Sequence, residues 1–100
     1  MTLVEFKNTL AQSGPQSGAA VLDALWWVAN GDWTRAHELV QGEANRDAAW
    51  VHAYLHRAEG DLSNAGYWYR KAGRVAACGP LELEWDAIAT ALLAAGTGDR

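Results

Sequence analysis

His52 and His56 stand four residues apart, and Glu59 follows three later. On a helix this spacing stacks all three side chains along one face. A His-x-x-x-His pair beside a carboxylate is a donor set that can bind zinc, and His37 on a neighbouring helix would add a further ligand. The pattern is not that of a metalloprotease, because Ala53 stands where that motif carries its catalytic Glu. The plainer reading has half-buried imidazoles satisfied by carboxylates or carbonyls of a helical bundle, with no metal. Further polar residues crowd the following turn: Arg57, Asp61, Asn64 and Arg70. Pairing of Arg57 with Asp61 and of Glu59 with Arg70 is expected there. Such pairs would fix the turn, or form a pocket for a small anionic or hydroxylated ligand with His56 and Arg57 as donors.

A second constellation is aromatic. Trp26, Trp27, Trp33, Trp50, Tyr54, Tyr67, Trp68 and Tyr69 exceed what one small core needs. Three adjacent helical residues span about 200°, so at least one of residues 67–69 must face outward. Trp50, Tyr54 and Arg57 are expected on the inner face of a helical pair, with Leu25 and Val28 nearby and Trp68 extending the surface. Aromatics and Arg are enriched at binding hot spots, so these residues form a candidate groove; the alternative is that they are core. No phosphate-cradling Gly loop, nucleophile elbow or Cys-based metal motif is present.

Composition narrows the partners. The chain of 100 residues carries eight basic and twelve acidic side chains, a net charge of −4. That balance argues against nucleic acid, whose binding relies on clustered cations. The single cysteine, Cys78, cannot form an internal disulfide and reads as a semi-buried small apolar residue. The N-terminal stretch has no basic start and apolar run, and no segment approaches the ~20 apolar residues of a membrane span. A cytoplasmic protein that does not engage membranes is expected.

The elements that must position these side chains are helices. Six residues are Trp, only two are Pro, and Ala dominates the apolar half, a composition that favours helix. Breaks fall at Gly14-Pro15, Asn30-Gly31-Asp32, Gly42 to Asp47, Gly60-Asp61, Gly79-Pro80 and Gly96-Thr97-Gly98. Between them, helices are expected over about 3–11, 19–29, 33–41, 47–59, 62–72 and 81–95. The second is apolar on most sides and therefore central. Asp32 and Asp61 are N-caps. Glu82, Glu84 and Asp86 suit the start of the last helix.

Two of these turns repeat. Gly31-Asp32-Trp33-x-x-Ala36 and Gly60-Asp61-Leu62-x-x-Ala65 align without a gap, twenty-nine residues apart. Gly ends one helix, Asp caps the next, a large residue enters its first turn, and Ala lets two helices approach. The pattern resembles the turn and second helix of a tetratricopeptide (TPR) repeat, with Tyr69 and Ala72 at that family's aromatic and small positions. The resemblance covers residues 19–72 as two hairpins. It departs from the family in its period, which is not 34, and in lacking the Trp-x-x-Leu-Gly signature. The longer string Ala36-His37-Glu38-Leu39-Val40-Gln41, then Ala49 to Asp61, then Asn64-Ala65 and Tyr67-Trp68-Tyr69-Arg70, resembles an uncharacterised family of small helical proteins in bacteria and fungi. That likeness implies a fold and no activity.

The expected architecture is all-α, with five to six short helices in one domain over residues 1–100. Two TPR-like hairpins over 19–72 follow an N-terminal helix, and a helix over 80–95 caps them. The expected role is a non-catalytic interaction module without cofactor, holding a protein, a peptide or its own copy in the groove of Trp50, Tyr54, Arg57 and Trp68. The alternative is a small-ligand or metal site, enzymatic or not, at His52, His56, Arg57 and Glu59, with His37, Asp61 and Arg70 around it.

Overall fold

A computed structural model describes residues 1–97 of the chain. Six helices follow one another: α1 (Leu3–Asn8), α2 (Ala20–Ala29), α3 (Trp33–Gln41), α4 (Arg46–Ala58), α5 (Leu62–Ala72) and α6 (Leu81–Ala94). The class is all-α, and no strand occurs among the described residues. Helix α1 is shorter than expected. Thr9–Ala11 tightens into a single 3-10 turn, where the Thr9 hydroxyl donates to the Phe6 carbonyl at 2.6 Å.

The two Gly-Asp turns are closed by the same bonds. Gly31 and Gly60 both take left-handed backbone, φ 86° and 91°. The amide of Asp32 reaches the Trp27 carbonyl, and that of Asp61 reaches the His56 carbonyl, each at 2.9 Å. The preceding glycine amides bond to Val28 and Arg57 carbonyls. This six-to-one and five-to-two pairing absorbs the orphan carbonyls of a helix end. Each Asp then accepts the amide of the residue three further on, at 3.0 Å for Arg35 and 3.2 Å for Asn64. One helix stops and the next starts within two residues, so α2–α3 and α4–α5 form tight hairpins.

Helix α4 lies at the centre, packed by α2, α3, α5 and α6. Every residue from Ala48 to His56 is buried. A helix surrounded on all sides must bury its polar residues too, and this is what draws His52 and His56 inside. Helix α6 packs on α2 and α4. Ile88 and Leu92 enter the core, and the Trp85 indole N–H donates to the Leu25 carbonyl at 3.0 Å. Lys7 and Asp86 tie α1 to α6 at 2.9 Å.

A polar lock fastens α6 to the second hairpin. The Arg57 guanidinium binds Glu84 Oε1 at 3.0 Å and also donates to the Gly79 carbonyl. The Tyr69 hydroxyl donates to Glu84 Oε2 at 2.5 Å. Arg57 therefore pairs with Glu84 and not with Asp61 as expected, because its side chain leaves α4 on the face that α6 covers. Cys78 is exposed rather than semi-buried, since it lies in the non-helical connection between α5 and α6. Among the described residues no helix is long and apolar enough to cross a membrane.

Candidate metal centre

Three helices each bring a pair of side chains, four residues apart, to one place. From α3 come Trp33 and His37, from α4 His52 and His56, and from α5 Asn64 and Trp68. The three imidazoles gather at ring separations of 4.6 Å (37–52), 4.9 Å (52–56) and 5.3 Å (37–56). One nitrogen from each lies within 4.8 Å of the others. Trp33 stacks on His37 and Trp68 stacks on His52, with centroids at 4.8 and 3.9 Å. Trp33 is itself anchored, its indole N–H donating to the Leu55 carbonyl at 2.7 Å. The aromatic planes leave each imidazole little freedom to turn.

His37 and His52 sit in a setting that favours their neutral form. His52 is 4% exposed. Burial first, and then the neighbouring His37 and His56, push its pKa from 6.5 down to about 4. His37 is lowered as well, by burial and then by His56. Charging a ring here means desolvating a cation beside its like. At neutral pH His37 and His52 are hence uncharged, the form a metal-ligating imidazole needs.

The hydrogen bonds assign the protons. His56 Nδ1 lies 2.7 Å from Glu59 Oε2. A carboxylate only accepts, so His56 carries a proton on Nδ1, and its Nε2 points away from Glu59 toward Asn64. A carboxylate behind an imidazole in this way is the support that metal-ligating histidines use. His37 and His52 face each other Nε2 to Nε2 at 2.9 Å, sharing one proton. His52 Nδ1 is buried without a partner. An unpaired acceptor costs less to bury than an unpaired N–H, so the shared proton is best assigned to His52.

The donor set fits zinc chemically. Two zinc–nitrogen bonds of 2.0–2.1 Å at a tetrahedral angle place the nitrogens about 3.3 Å apart. His37 and His52, at 2.9 Å, are about 0.4 Å closer than that, so a metal would part them slightly, and His52 would ligate through Nε2 with its proton moved to the buried Nδ1.

The other expected site residues lie elsewhere. Glu59 serves His56 and not Arg70. Asp61 caps α5. Arg70 is exposed on α5, bordering a shallow depression with Asp61, Tyr67 and Trp68. Trp50 and Tyr54, expected to line an open groove, are 8% and 7% exposed and count in the core. Helix α6 covers them together with Arg57, and Trp68 lies against the histidines instead. The four do not form one concave surface. The walls Trp33 and Trp68 were not read as parts of a histidine site, although each belongs to a four-residue pair like that of His52 and His56.

The described residues thus form an all-helical protein built on two tight hairpins, with two buried histidines and a half-buried third between them. No family model matches the chain, and no curated protein or solved structure is similar to it.

Proposed function

We propose that this chain is a metal-binding module. In it two stacked TPR-like hairpins hold one divalent transition-metal ion, zinc by preference, through His37, His52 and His56. The observation that carries the reading is the convergence of three imidazole nitrogens from two hairpins within 4.8 Å. Imidazole suits zinc, copper and nickel, and the set contains no sulfur to favour copper(I). Because His37 belongs to the first hairpin and the other two to the second, the ion acts as a staple between them. An interaction role at the inner groove has less support, since α6 already fills that face.

The test is titration of chelator-stripped protein with zinc, followed by thermal melts. One ion per chain is expected to bind. At a free zinc concentration of one hundred times Kd, stabilisation is expected to reach about 2.7 kcal/mol. His37→Ala and His52→Ala are each expected to abolish that gain. Equal melts with and without zinc in the wild-type protein would overturn the reading.

A further inference from the structure

Three histidines leave one position of a tetrahedral ion unfilled. A polar side chain from α5 stands beside one of the three. The Asn64 amide nitrogen lies 3.4 Å from His56 Nε2, the ring nitrogen that faces away from Glu59. This is long for a hydrogen bond. It matches the roughly 3.3 Å between two ligands of one tetrahedral zinc ion. The two ends of an amide have nearly the same shape, and a half-turn about the last side-chain bond exchanges Nδ2 for Oδ1. The oxygen would then stand where a cation needs a donor.

The location of Asn64 on its helix points the same way. It is the third residue of α5, and its backbone amide is held by the Asp61 cap at 3.2 Å. A Glu or Gln at this position can reach back to the cap residue's amide, but the shorter Asn is free to turn elsewhere. Asn64 contacts His56 instead, and Trp68 covers His52 one turn further on.

We infer that Asn64 is the fourth ligand, its amide oxygen completing a three-histidine, one-amide site drawn from α3, α4 and α5. The inference rests on the metal reading above. A neutral oxygen donor among three imidazoles leaves the full double charge of the ion, so a carboxylate at the same point binds it more strongly.

The experiment uses the full chain with Zn²⁺ for affinity and Co²⁺ for its visible absorption, which reports coordination. Asn64→Asp keeps the size of the side chain and supplies a charged oxygen. It is expected to tighten Zn²⁺ binding at least tenfold and to shift the Co²⁺ bands. Asn64→Leu removes the donor and is expected to weaken binding by ten- to a hundredfold. An Asn64→Asp variant with unchanged zinc affinity and unchanged cobalt spectrum overturns this inference, whatever the Leu variant does. If wild-type protein still binds Zn²⁺ and His52→Ala does not, the metal reading survives that result. Failure of the wild-type protein to bind either ion removes both.

Discussion

Nε2 of His37, in the first hairpin, meets Nε2 of His52, in the second, at 2.9 Å. Two neutral rings share one proton there, and neither can charge without facing the other. The contact is made by residues fifteen apart in the chain. It couples the stacking of the hairpins to the protonation of the two rings.

Stability of the metal-free protein should fall on mild acidification. In the unfolded chain His52 titrates near 6.5, and in the fold near 4. Between these values the unfolded chain binds the extra proton, so acid favours unfolding. The contribution is intact above pH 6.5, is lost progressively below it and levels off near 4. It is worth up to roughly 3 kcal/mol. Denaturant titrations with chelator present, at pH 7.5 and 5, should show this loss in wild-type protein and a smaller one in His52→Gln.

Glu59→Ala should weaken zinc binding by about ten- to a hundredfold, because it removes the acceptor that orients His56. Glu59 is partly exposed, so the metal-free melt should change little. Isothermal titration beside a melt of the apo protein separates the two effects.

Gly60→Val should destabilise by more than about 1 kcal/mol. No atom lies near the position a Cβ would take, so the cost is that of a φ of 91° and not of a clash. Gly42, with ordinary backbone angles and open space around it, is the control. Gly42→Ala should be neutral within about 0.5 kcal/mol.

Glu84→Ala should cost about 2–4 kcal/mol, since it strips the largely covered Arg57 of its counter-charge and Tyr69 of its acceptor. Glu84→Gln should cost less, as an amide oxygen can still accept from Arg57 or Tyr69. Urea midpoints of both variants against wild type check the order.

Trp50→Ala should destabilise by about 3 kcal/mol or more, as truncation of a core aromatic. Equilibrium unfolding measures it. A variant as stable as wild type would restore Trp50 to the surface.

Much of the fold was readable in the residues. Gly31-Asp32 and Gly60-Asp61 announce their own turns, because a left-handed glycine and a capping carboxylate act on the backbone within a few positions. The breaks at Gly79-Pro80 and Gly96 mark α6 for the same reason. Long-range pairing was less legible. Arg57 has Asp61 close in sequence, yet it bonds Glu84 twenty-seven residues away. Opposite charges in a sequence show only that a pair can form. The direction in which a helix presents each side chain selects the partner.

The chain alone established the helices, their turns and the four-residue spacing of His52 and His56, all of which follow from local backbone and side-chain geometry. Packing determined the rest. Stacking one hairpin on the other turned His37 toward His52 and set Trp33, Asn64 and Trp68 around them. The docking of α6 buried Trp50 and Tyr54 and covered most of Arg57. These outcomes depend on which helix faces cover one another, and that is settled by burial summed over the whole core, not by any short stretch of residues.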